Sequence, residues 1–219
     1  MNPNGLPIDL ILFGMIAVFL VLRLRSILGK RTGFERQAVP VARPVANLRP
    51  GRVVDAVAEP EPARTLPEPA SPAGQAMARM QRTDRTFSAP RFLEGAEAAF
   101  RLIVTAFAAG DRATLRPLLA PDVLAGFEAA IEARDAAGHT QHSEVRAINQ
   151  ATIEQAALAG SIADITVRFV SDQIATTLDA AGNPVSGTDA LTEIVDVWTF
   201  RRDLAGTDPA WRLTAARSA

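Results

Sequence analysis

The chain has 219 residues, 48% of them hydrophobic and 21% charged, with a formal net charge of −1. That total hides an uneven split: residues 1–85 carry 12 Lys/Arg against 7 Asp/Glu, and residues 86–219 carry 11 Arg against 17 Asp/Glu. An acidic C-terminal part argues against nucleic acid as the main partner. The absence of cysteine excludes a disulfide scaffold and a thiolate nucleophile.

Leu6 to Leu24 reads LPIDLILFGMIAVFLVLRL, and every residue from Leu10 to Leu22 is apolar or glycine. As a helix this stretch would span about 28 Å, close to the hydrocarbon thickness of a bilayer. A cleaved signal peptide is the rival reading. It needs positive charge before the apolar run and a small-residue cleavage site after it. Here the positive charge follows the run, as Arg23, Arg25, Lys30 and Arg31. We therefore expect residues 1–29 to be one retained transmembrane anchor with a basic flank. Between Arg23 and Arg52 stand eight Lys/Arg and a single acid, Glu35. The positive-inside rule then puts the N-terminus outside and the rest in the cytoplasm, at the inner membrane. Arg23, Arg25, Lys30 and Arg31 are the candidates for contact with anionic lipid; the alternative is that they only set topology.

Residues 30–83 are expected to be a disordered, proline-rich linker. Eight prolines fall between residues 30 and 75. They break any helical or strand period and favour an extended spacer. Residues 74–86 carry a weak helical pattern at the end of this stretch.

From residue 84 to 219 the pattern is that of a folded domain. Phe92, Ala96, Ala99, Phe100, Ile103 and Phe107 recur at spacings of three and four, which makes one apolar helix face. Gly110 suits a left-handed helix end and Asp111 the cap of the next helix, over Arg112 to Leu119. Pro121 and Asp122 read as a third helix start, with Leu124, Phe127, Ile131 and Val123 facing inward and Gly138 ending it.

Strands follow. Val145–Leu158 has a loose β pattern that suggests a bulge. In Ser161–Val170, Ala163, Ile165, Val167 and Phe169 alternate with Asp164, Thr166 and Arg168. Asp179–Gly187 reads as a loop. Leu191–Phe200 returns as a strand with Trp198 and Phe200 on one side, and Trp211 and Leu213 open a last one. Helices first and an antiparallel meander after is the α+β pattern. A curved sheet around helices makes a cone, and cones often have a pocket at the open end.

The segments FLEGAEAAFRLIVTAFAAGDRATLRPLLAPDVLAGFEAAI (92–131), VRAINQATIEQA (145–156), ITVRFVS (165–171) and DVWTFRR (196–202) resemble the Tim-forty-four-like domain. That family includes the matrix-side adaptor of the mitochondrial inner-membrane protein translocase and alphaproteobacterial relatives. The likeness covers the entire folded part. It implies a cone similar to nuclear transport factor two, with about three helices on a curved antiparallel sheet. It also implies membrane association, affinity for anionic lipid and an adaptor role beside inner-membrane or translocase proteins; no cofactor is expected. The pocket candidates it points to are Phe92, Phe100, Phe107 and Trp198; the bland alternative is that they pack the core. The long charged N-terminal region of the mitochondrial member is absent, so recruitment of its chaperone does not carry over.

Catalytic signals are thin. His139 and His142 follow Gly138 in an expected loop, and with Glu144 and Asp135 they form no known metal-ligand spacing. Asp196 could share a face with Trp198 and act as a base in a pocket; a salt bridge to Arg201, Arg202 or Arg168 is the alternative. Phosphate-binding loops and hydrolase elbows do not occur. Three readings remain: a membrane-tethered adaptor without catalysis, a lipid- or hydrophobic-ligand-binding module, and a small-molecule enzyme of the cone fold.

Overall fold

The computed structural model describes residues 62–219. The expected anchor, its basic flank and most of the linker lie outside the described residues. Among the described residues no helix is long and apolar enough to cross a membrane.

The elements in chain order are β1 (Ala63–Thr65), α1 (Pro72–Thr83), α2 (Ala89–Ala109), α3 (Arg112–Leu115), α4 (Pro121–Ala136), β2 (Thr140–Ala159), β3 (Ile162–Leu178), β4 (Pro184–Asp203) and β5 (Arg212–Ser218). The five strands form one sheet in the order β1-β2-β3-β4-β5. β1 runs parallel to β2, and every other pair is antiparallel. Helices α1 and α2 cover one face of this curved sheet, which is the α+β architecture expected.

The folded body begins before residue 84, which corrects the boundary of the expected linker. Ser71 caps α1, its Oγ accepting from the Gly74 amide at 3.1 Å. The helix buries Ala73, Ala76, Met77 and Met80, and the two methionines join the main core. Four small or flexible apolar residues at helical spacing suffice to dock it, despite Pro67, Pro69 and Pro72 just before.

Helix α2 is the central element. Phe92, Leu93, Ala96, Phe100, Ile103 and Ala106 are buried along one stripe, while Ala99 and Phe107 are only partly covered. Gly110 takes φ +71° and ends the helix in the left-handed conformation. Asp111 then caps α3, its Oδ1 accepting from the Thr114 amide at 3.0 Å. The Thr114 hydroxyl, which donates to Asp111 Oδ2 at 2.6 Å, and then the Thr114 amide hold the Asp111 carboxyl below its ordinary value. Helix α3 is a single turn rather than the longer helix expected. Leu118 and Leu119 leave it to bridge the edge of β5: the Leu213 amide donates to Leu118 O and the Ala120 amide to Leu213 O. Backbone pairing with β5 outcompetes another helical turn because Pro121 follows and lacks an amide. Helix α4 buries only Ile131 fully; Val123, Leu124 and Phe127 are half-covered.

The strands are longer than their sequence pattern suggests. β3 alternates as read, with Ala163, Ile165, Val167 and Phe169 buried under the helices, and it continues to Leu178. The loop expected over Asp179–Gly187 shrinks to a turn closed by Asp179, since β4 already starts at Pro184. Bulges break the β2–β3 register between Val145 and Ala147, Ile148 and Gln150, and Ile153 and Gln155, as the irregular pattern suggested. His142 belongs to β2 rather than to a loop.

Candidate functional site

Of the four aromatics expected to line an apolar pocket, Phe92, Phe100 and Trp198 are buried in the core, and Phe107 packs against it, partly covered. Phe100 is fully buried, stacked on Phe169 at 4.6 Å and tilted against Trp198 at 4.7 Å between ring centroids. Phe92 meets Phe200 and Trp211 edge-on at 6.0 and 4.7 Å. Phe107 packs against Phe127 at 4.9 Å. Such offset and edge contacts are the preferred geometry of mutually packed rings. None of the four lines either cavity described below. The pattern signal was real, but it reported packing, because stripes at helical spacing look the same whether they face a ligand or a sheet.

Asp196 lies on the helix-facing side of β4 with Trp198, as its parity requires. Its Oδ1 accepts from Ser218 Oγ at 2.8 Å and its Oδ2 from Gln173 Nε2 at 3.3 Å. Gln173 also donates to the buried Ser171 Oγ at 2.9 Å. Of the arginines named as alternative partners, Arg201 pairs with Asp164, Arg202 with Asp84 and Arg168 with Glu154. Asp196 is thus a member of a hydrogen-bonded polar row, and neither cavity reaches it. His139, His142, Asp135 and Glu144 do not converge; among the described residues no cluster of three or more metal-ligating side chains exists.

An open groove lies on the other face of the sheet. Its volume is about 750 Å³, and it is lined by Ala120 to Val123 at the start of α4, and by side chains of β2, β3, β4 and β5. Its floor is a hydroxyl ladder: Thr166 and Thr199 Oγ1 lie 2.9 Å apart, and Thr214 Oγ1 donates to Thr199 O at 3.1 Å. At one end Arg201 makes two hydrogen bonds to Asp164, at 2.7 and 3.0 Å. That carboxylate holds the Arg201 guanidinium above its ordinary value. Ala156, Ala157, Ala215 and Pro121 supply small apolar walls. A smaller cavity of about 260 Å³ adjoins it around Arg202, Asp203 and Arg212.

A further feature sits on the opposite sheet edge. Arg64 on β1 donates from Nε and Nη2 to Glu97 on α2, both at 2.9 Å, and lies 3.6 Å from Glu94. Glu97 is one of the few buried charged residues of the domain.

The Tim44-like domain family matches residues 73–218. The chain belongs to that family. The match begins inside α1, in agreement with the early start of the folded body. No curated protein sequence matches the chain. Among solved structures, the intermembrane-space region of the chloroplast protein ARC6 is similar at 12% identity and TM-score 0.46, over 60% of this chain and 97% of that one. A conserved protein from Planctomyces limnophilus is similar at 17% identity and TM-score 0.33, over 59% and 94%. A protein of Streptomyces avermitilis, proposed as a dehydratase of the NTF2-like family, is similar at 14% identity and TM-score 0.34, over 60% and 96%. The lipid-contact candidates Arg23, Arg25, Lys30 and Arg31 lie outside the described residues.

Proposed function

We propose that this Tim44-like chain is a membrane-tethered adaptor of the inner membrane that works by binding protein, in translocation or membrane-protein quality control. Tim44-like domains are membrane-associated. The apolar run at Leu6–Leu24 and the basic residues after it supply an anchor with the domain on the cytoplasmic side. A long linker lets the domain search for partners near the membrane at raised local concentration.

The observation that carries the binding reading is the closed aromatic core. Phe92, Phe100 and Trp198 occupy the interior with their own rings, so the domain's chemistry is offered by its surfaces. The outer groove, with small apolar walls, hydroxyls and one neutralised ion pair, suits a polypeptide better than a phosphate or a metal. A lipid chain held inside the cone is the weaker reading, since it requires those rings to part. Catalysis finds no support at Asp196, whose carboxylate is engaged by Ser218 and Gln173.

The test is in-cell photo-crosslinking of the full chain from a reactive residue placed at Ala157 or Ala215 on the groove. Recovery of inner-membrane or translocase proteins is expected. Recovery of none, or a C-terminal alkaline phosphatase fusion active in the periplasm, would remove the proposal.

A further inference from the structure

Glu97 makes an unusual demand. Its side chain is 9% exposed, and a carboxylate so placed requires a cation. The cation comes from β1, the edge strand of the sheet. Among the described residues Arg64 supplies both hydrogen bonds that Glu97 accepts. β1 itself is only three residues long, and all three are exposed. Pro62 and Pro67 flank it, and proline cannot donate to a ladder, so the pairing cannot lengthen. A short parallel pairing of this kind is weakly held. A permanent set of recognition groups thus faces a small, removable occupant. Those groups are the β2 edge at Gln150–Thr152, Glu97, and Glu94 beside it.

We propose that the β2 edge is a strand-docking site for an extended, arginine-bearing segment of a partner protein, and that residues 62–66 occupy it in cis as an internal competitor. The inference rests on the protein-binding reading above and names the chemistry of the partner. The register Ala63↔Gln150, Arg64↔Ala151, Thr65↔Thr152 defines what fits. The segment runs parallel to β2, with a small residue, an arginine over the sheet edge towards α2, and a small or β-branched residue. Main-chain hydrogen bonds supply affinity and the Glu97–Glu94 pair supplies selection for arginine. An uncovered sheet edge is an aggregation hazard, and the cis strand covers it until a partner arrives.

The chain has no cysteine, so Thr65→Cys with Thr152→Cys creates one disulfide across register partners and locks the strand in place. The probe is a fluorescent peptide with the sequence of residues 60–68, PEPARTLPE, titrated against the full-length variant in lipid vesicles. Binding is expected to the reduced form and to be at least tenfold weaker to the oxidised form. A peptide with its arginine replaced by glutamine should bind at least tenfold more weakly to the reduced form. Equal binding to both redox forms, or none to the reduced form, overturns the proposal. A disulfide formed between chains carrying Thr65→Cys alone and Thr152→Cys alone overturns the partner assignment in favour of exchange between copies. Loss of peptide binding in a chain that still crosslinks to membrane proteins defeats the strand site alone. Peptide binding in a chain that crosslinks to nothing defeats the adaptor reading alone.

Discussion

Asp84, just past the end of α1, accepts a hydrogen bond from Arg202 on β4 across 118 residues of sequence. Both side chains are largely covered, at 12% and 14% exposure, and the Arg202 guanidinium lies over the Trp211 ring at 5.7 Å. The contact ties the first helix of the domain to the far side of its sheet. It also explains why the folded body starts where it does: α1 is held by an ion pair as well as by its four apolar residues.

Asp84→Asn should therefore lower stability by about 2–3 kcal/mol, towards the low end for breaking a buried pair because both groups keep some exposure. Bonds from the Thr86 hydroxyl and amide, and then Arg202, hold the Asp84 carboxyl below its ordinary value of 3.8. A depressed carboxylate stabilises the fold above its unfolded value and loses that contribution as pH falls through its folded value. Urea melts of both proteins should show a constant gap from pH 5 to 8 that shrinks below about pH 4. A gap independent of pH down to pH 2 would refute the assignment.

Phe100→Ala should cost about 3–5 kcal/mol, the usual range for a buried phenylalanine. Phe100 touches Phe169 and Trp198 together, so near-ultraviolet circular dichroism from Trp198 should fall with it. Were these rings lining a ligand pocket, the same change would spare stability and abolish ligand retention instead.

Gly187 offers a third measurement. It sits in β4 opposite Thr176 with φ +79°, and a Cβ there would lie 2.0 Å from Ala175 O. Alanine would have to adopt a left-handed backbone, at about 1–2 kcal/mol, and would also push β3 and β4 apart. We expect Gly187→Ala to lose cross-strand nuclear Overhauser contacts between residues 175–177 and 186–188, while the Thr166–Thr199 region keeps its own.

The sequence showed the fold where one rule dominated. Alternation in Ala163–Phe169 placed β3, because one face is covered by helices and the other is not. The apolar stripe of α2 and the Gly110–Asp111 junction were equally plain. Element ends were not. β4 extends back through Leu191, Asp189 and Val185 because pairing with β3 satisfies backbone groups whatever the side chains are. α3 stopped at Leu115 because Leu119 found a partner in Leu213, a contact nothing local announces. The outer groove was invisible for a related reason. It joins Pro121, Thr166, Thr199 and Thr214, drawn from four elements and individually ordinary. Arg64 was hidden among prolines that read as linker, and its partners Glu97 and Glu94 lie some thirty residues further along the chain.

Arg134 supplies the last expectation. Its Nη1 donates to Phe107 O at 3.0 Å and to Gln141 Oε1 at 2.7 Å, and its guanidinium stacks over the Phe107 ring at 5.6 Å. One side chain thus satisfies a carbonyl at the end of α2, holds the start of β2 and covers an aromatic. Burial pushes Arg134 down from its ordinary value, and the neighbouring Asp135 carboxylate opposes that shift. Arg134→Ala should cost about 2 kcal/mol, the sum of a charge-assisted hydrogen bond and lost stem packing. Arg134→Lys should recover less than half, because an ammonium cannot stack its plane on Phe107 while reaching two acceptors. Thermal melts of the three proteins decide it: full rescue by lysine would mean that charge alone matters there, and that the junction of α2, α4 and β2 is held some other way.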